Sequence, residues 1–210
     1  MKIKNKKFFI ALFIALLLKL SLFAFAEIRA PQVKFQIDSQ IYIQTANNLA
    51  AHAAFTREYS PGGKYAPELF RTPGYPFFLC IFNGKLKIPY SGVVIIQIIL
   101  TILTACVVYK TAEQIDPRFA YLSALIVLFD PSVTIFSLFL LTETVFLFLI
   151  SIFMHVFIRY LRTPELRYAV WSALIIAAAV YIRPISYFLG IAIGMFMLYF
   201  SFRARIKKVL

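Results

Sequence analysis

Apolar residues in this chain fall into long runs, and one polar interval separates the first run from the rest. The first run is Phe8 to Ala26, broken only by Lys19. At about 1.5 Å per helical residue it is just long enough to cross a hydrocarbon core of about 30 Å. Five more runs follow, at Gly92–Tyr109, Phe119–Phe136, Thr144–Ile158, Tyr168–Ile182 and Ile185–Phe202. Some are short and need tilt, neighbours or a thinned bilayer to span. Between the first two runs lie residues 27–90. There Asp38 precedes Ile41, Ala46, Leu49, Ala50 and Ala53, with Gln40, Gln44, Asn47, Asn48 and His52 on much of the remainder. That spacing predicts an amphipathic helix on the membrane surface, with Asp38 in the N-cap position. Ser60-Pro61-Gly62-Gly63 reads as a turn. Phe77 to Phe82 is too short to span and is expected to dock into the outer leaflet or onto other helices, ending at Asn83-Gly84.

The prediction is an all-α polytopic integral membrane protein of about six transmembrane helices, forming a single membrane domain over 1–210. Its parts are a first transmembrane helix at 8–26, an extracytoplasmic loop at 27–90 that contains the amphipathic surface helix, five further helices over 91–202, and a tail at 203–210. A cleaved signal peptide is the competing reading of the start, because Ala24-Phe25-Ala26 fits a small-x-small cleavage site. Lys19 and the apolar length favour an uncleaved helix.

Composition agrees with a bilayer protein. Only 15% of residues are charged, against about a quarter in a soluble domain. The net charge of +13 does not point to nucleic acid, because the basic residues sit at the ends of apolar runs and make no aromatic-interleaved patch. Those at the N-terminus, Lys110 and Arg118, Arg159 to Arg167, and Arg203 to Lys208 all fall on one side of a six-span chain. The positive-inside rule makes that side cytoplasmic. Both termini are then cytoplasmic in the plasma membrane (the inner membrane of a bacterium). The long loop, Leu141-Thr142-Glu143 and Arg183-Pro184 then meet on the other side. Cys80 and Cys106 make no disulfide framework, and His52 and His155 have no zinc-ligand spacing. Gly190 and Gly194 read as close helix packing, and Lys19 as paired inside the bundle or snorkelling.

Acids and arginines gathered at an apolar boundary suit a phosphate-bearing lipid. Cations neutralise a phosphate leaving group, and a carboxylate takes a proton from an attacking hydroxyl. The order of motifs narrows this. Asp38 after the first helix is followed by Tyr42-x-x-x-Ala46-x-Asn48-Leu49 and then by Arg71-Thr72-Pro73-Gly74-Tyr75-Pro76. Asp130-Pro131, Leu140-Leu141-Thr142-Glu143-Thr144 and Arg183-Pro184 follow. Together these resemble the GT-C membrane glycosyltransferases, in the branch of the protein O-mannosyltransferases and the lipid A aminoarabinose transferases.

The resemblance implies inverting transfer of a sugar from a polyprenyl-phosphate carrier to an acceptor hydroxyl at the extracytoplasmic face. It makes Asp38 the general base. It makes Arg71, Tyr75 and Arg183 contributors to phosphate binding or pocket shape, and Glu143 a group for acceptor or metal binding. It fixes no cofactor, and a divalent metal is the one it allows. It also implies a longer chain whose further helices complete the donor pocket. Two expectations follow: the N-terminal part of such an enzyme, or a catalytically inactive or partner-dependent subunit that binds a polyprenyl-phosphate lipid beside a second membrane subunit. Without the resemblance, Asp38 and Glu143 read as helix caps, Arg71 and Arg183 as interfacial anchors, and Asp130 as a helix stop.

Overall fold

The computed structural model describes residues 6–58, 60, 62 and 66–209, with side chains as far as Tyr199. Lys2 and Lys4 of the basic cap, Pro61 and Gly63 of the expected turn, Lys64, and the side chains of the basic tail lie outside the described residues. The described elements are helical. They are α1 (Lys6–Arg29), a 3₁₀ turn (Pro31–Lys34), α2 (Ile37–His52), α3 (Gly74–Leu79), a π-turn (Cys80–Lys85), α4 (Tyr90–Ile115), α5 (Pro117–Phe129), α6 (Pro131–Ser137), α7 (Glu143–Arg162), α8 (Leu166–Ile182) and α9 (Ser186–Val209).

Three helices, α1, α4 and α7, are long and apolar enough to cross a membrane, and the bent pair α5 and α6 makes a fourth candidate. α8 and the Ser186–Tyr199 part of α9, as far as side chains are described, are shorter apolar helices. The run expected at 119–136 is therefore not one straight helix. Asp130-Pro131 breaks it, and its halves meet at 50°. Proline at 131 lacks the N–H that would continue α5, and the Asp130 carboxylate caps α6 by accepting the Val133 N–H at 2.8 Å. Asp130 thus stops one helix and starts the next.

α4 is the central post, packing against α1, α5, α6 and α7. Along its second half small residues are prominent in the buried cluster. Ala105 shares one buried cluster with Ala11 and Ala15 of α1 and Ala120 and Ala124 of α5, together with Phe8, Tyr109 and Leu128. Alanines four apart let helix backbones approach where no hydrophobic effect drives association. The opposite faces stay apolar and exposed, as with Phe9, Phe13 and Leu17 of α1. Lys19 is buried and paired, donating to Thr134 Oγ1 at 2.7 Å. Of the two α9 glycines, a Cβ added at Gly190 would stand 3.8 Å from the Ile176 side chain of α8, and one at Gly194 would meet open space.

The first half of α4 supports the loop. α2 packs on α3 and the π-turn, burying Tyr42, Thr45 and Ala46, with Leu49 and Ala50 beside them. Its apolar side is thus covered by protein. Ala53 was expected within the helix but ends it, in a left-handed conformation with φ 54°. The Phe77–Phe82 run docks onto helices. Leu79 and Cys80 enter the core, and the turn continues past Asn83-Gly84 to Lys85.

Candidate active site

Asp38, Arg71, Glu143 and Arg183 line one cleft of about 290 Å³. They come from the start of α2, the segment before α3, the start of α7 and the end of α8.

Asp38 is not the cap of α2. Gln36 holds that position in extended backbone, and its N–H donates to Ser39 Oγ at 3.0 Å. The 3₁₀ turn ahead of it starts the helix earlier than the pattern suggests. Asp38 is thereby left in the first turn, where the helix dipole favours an anion. Its Oδ1 accepts from Arg71 Nη2 at 2.6 Å.

Arg71 is held by a buried carboxylate. Glu68 accepts the N–H groups of Phe70 at 2.7 Å and Arg71 at 3.0 Å, and it is clamped by the Arg57 guanidinium. The Arg57 bond, aided by the two N–H bonds, holds the Glu68 pKa below the ordinary carboxylate range despite burial. The next residues fasten the turn to α8. Thr72 Oγ1 donates to the Ile182 carbonyl at 3.0 Å. Gly74 rides so close that an added Cβ would stand 2.6 Å from the Tyr181 carbonyl oxygen. Glycine permits this approach, and the seam sets Arg71 in one cleft with Arg183.

Arg183 caps α8 in extended backbone, the conformation favoured ahead of Pro184. Its Nη1 lies 3.2 Å from Glu143 Oε1. Glu143 is the first residue of α7, favoured there by the helix dipole. The cleft therefore holds two guanidiniums and two carboxylates, each paired. The arginines also lie over aromatic rings, Arg71 at 5.9 Å from Tyr42 and Arg183 at 5.8 Å from Phe146.

Tyr75 does not reach this cleft. It is fully buried, and its hydroxyl donates to Gln97 Oε1 at 2.7 Å. Its ring meets Tyr42 edge-on at 5.2 Å and stacks on Phe78 at 5.7 Å. Burial pushes its pKa well above the usual phenol value, so it remains a neutral donor. Of the two roles expected for it, phosphate binding or pocket shape, its position bears on the second: Tyr75 underlies Tyr42, which does line the cleft.

Gln97, to which the sequence reading gave no role, ties this floor to the bundle. Buried in α4, it donates to the Ser137 and Phe139 carbonyls at 3.2 and 2.6 Å. These belong to the segment leading to Glu143. The Leu140 N–H donates to the Lys34 carbonyl at 3.0 Å, and the Lys34 ammonium is held by Glu27 at 2.6 Å and Ser91 at 3.2 Å. The available signal was one amide inside an apolar run, a costly placement unless satisfied.

An apolar groove of about 220 Å³ adjoins the cleft, lined by Val133, Phe136, Phe146 and Leu147 and sharing Glu143 and Arg183 with it. The Arg183–Glu143 pair is thus common to a polar and an apolar space. Among the described residues no three of His, Cys, Asp or Glu gather as metal ligands. The cleft offers two carboxylates, each taken by an arginine, whereas hard divalent cations take about six oxygen ligands. These residues alone do not make a metal site.

A family model described as dolichyl-phosphate-mannose-protein mannosyltransferase matches residues 71–210. The chain belongs to this mannosyltransferase family. It is accordingly a membrane protein of the GT-C glycosyltransferase type. The mannosyltransferase match begins at Arg71, so Arg71, Tyr75, Glu143 and Arg183 lie within it and Asp38 lies ahead of it. No curated protein and no solved structure matches the chain.

Proposed function

We propose that this cleft transfers a sugar from a polyprenyl-phosphate-linked donor to an acceptor hydroxyl at the extracytoplasmic face. The observation that carries the reading is the Arg183–Glu143 pair shared by a polar cleft and an apolar groove. A lipid-linked sugar phosphate has that division, with a charged phosphate between a polar sugar and a prenyl chain. The sidedness rests on the cations at the far ends of the helices and the positive-inside rule.

The donor phosphate draws Arg71 and Arg183, and the carboxylates lose their partners as it does so. Asp38 then accepts the proton of the acceptor hydroxyl. The hydroxyl oxygen attacks the anomeric carbon from the face opposite the phosphate. The bond from that carbon to the phosphate oxygen breaks, its electron pair leaves with the polyprenyl phosphate, and the two arginines stabilise the charge. Glu143 holds Arg183 until the donor arrives and is then free to accept a hydrogen bond from the acceptor.

The test is sugar transfer in membranes from a polyprenyl-phosphate donor, comparing wild type with Asp38→Asn. Unchanged turnover in the variant removes Asp38 as base. A second reading is favoured by one observation: every charge lining the cleft is already paired within it. In that reading the chain binds the lipid phosphate without catalysis and works beside another membrane subunit. Donor binding by purified wild type with no transfer selects it.

A further inference from the structure

A second polar cleft lies at the other end of the bundle, where α4 and α7 finish and α8 begins. It has a volume of about 460 Å³, within the range of ligand sites. Its two carboxylates are already taken. Glu113 accepts from Lys110 at 2.6 Å, and Glu165 pairs with Arg167 at 2.8 Å. Arg159 and Arg162 also line it, and neither has a carboxylate partner among the described residues. Arg159 lies 5.2 Å from the Tyr168 ring, and Arg162 reaches only the Ile115 carbonyl, at 3.4 Å. Two exposed apolar residues adjoin lining residues in the chain: Ile115, the last residue of α4, follows Gln114, and Leu166, the first of α8, lies between Glu165 and Arg167.

Membrane topology requires cations near helix ends. It does not require them to share a concave site in which every carboxylate is spent. Two guanidiniums in a cavity beside exposed apolar residues complement an amphiphile with an anionic phosphate. We infer that this cleft binds the phosphodiester headgroup of an anionic phospholipid. Arg159 and Arg162 donate to its phosphate oxygens, and the acyl chains lie outward past Ile115 and Leu166. The site is separate from the donor cleft, so sugar transfer is not its readout.

The full chain, purified with phosphatidylglycerol and phosphatidylcholine in equal amounts, is examined by native mass spectrometry. Wild type is expected to retain phosphatidylglycerol selectively, and Arg159→Gln/Arg162→Gln to retain it about thirtyfold less, in line with the usual contribution of two basic residues at an anionic surface. Equal retention by that variant overturns the proposal. Displacement of the lipid by inorganic phosphate also overturns it, making the ligand a soluble anion. A photoreactive phosphatidylglycerol added to wild type gives a second measurement that needs no variant to fold. Adducts concentrated between residues 115 and 168 support the site, and adducts spread evenly over basic residues at both ends sink it.

Discussion

The two ends of α7 carry opposite solutions to the same problem. At its start, Asp38, Glu143, Arg71 and Arg183 form a balanced set of two ion pairs. Near its finish, four cations face two carboxylates, which leaves two guanidiniums over. Balance at an apolar boundary keeps each charge satisfied until a ligand competes for it, so binding there is an exchange of partners. The surplus guanidiniums have only a carbonyl and a ring for partners among the described residues, and they suit an anion that stays. The difference also shows in construction. The balanced end is laced by side chains of Gln97, Thr72 and Glu68 that bond backbone groups, while at the surplus end Thr111 and Gln114 of α4 meet His155 of α7 side chain to side chain.

The sharpest way to break this contrast is to neutralise one acid at each end. Asp38→Asn is expected to lower sugar transfer by about 10²- to 10⁴-fold, the usual span for a general base. Asp116→Asn, which disrupts an exposed pair with Arg118 at the other end, is expected to change transfer by no more than about twofold, since surface pairs contribute little. Equal losses, read as initial rates in membranes, would remove the distinction between the ends.

Next in size is the lacing. Gly74→Ala drives a methyl group against the Tyr181 carbonyl and is expected to cost about 1–3 kcal/mol, as overpacking does. Gln97→Leu leaves the buried Tyr75 hydroxyl without its acceptor and removes the side-chain bond to the Phe139 carbonyl, and it is expected to cost about 1–3 kcal/mol. Thermal unfolding in detergent measures both, and transfer should fall with them because the turn carrying Arg71 and the segment ahead of Glu143 come loose. Wild-type melting of either variant would mean that the cleft does not depend on this seam.

Acid gives a smaller effect at the same end. The folded-state pKa of Glu68 is depressed, so its contribution is present above the unfolded value of about 4.3 and is lost as the pH falls through the lower folded value. Proteolysis of the 57–71 segment should rise over that acid window in wild type and be high throughout in Glu68→Gln. The smallest effect runs the other way. Ala53 sits at φ 54°, a conformation that costs a residue with a Cβ about 1 kcal/mol. Ala53→Gly should raise the melting temperature slightly and leave transfer as it was.

Much of this was legible in the chain. The apolar runs are long and the polar interval is longer, so the helices fall close to the expected segments. Arg71, Glu143 and Arg183 were readable as end-of-helix charges that a single topology collects on one side. Other features were hidden because they depend on distant partners. The Asp38–Arg71 bond joins residues 33 apart, and no local pattern pairs them. Tyr75 stands within a motif of otherwise solvent-compatible residues, and only the packing of α2 over α3 turns it inward. Gln97 is one amide among aliphatics, and its worth lies in carbonyls 40 and 42 residues away. The bend at Asp130-Pro131 had a local signal, a proline, whose consequence was a broken helix and not simply a terminus.

The bond from Thr72 to the Ile182 carbonyl spans 110 residues, and that span orders events during synthesis. The chain emerges N-terminus first at about 5–20 residues per second, so Thr72 waits roughly 5–20 seconds for its acceptor to be made. Until then the turn that carries Arg71 has no seam to close against, and Arg71 and Arg183 cannot share a cleft. Maturation of the site is thus tied to completion of α8: a ribosome-bound chain that stops short of Ile182 should carry a loop open to protease, and one that has passed it by the length of the exit tunnel should not.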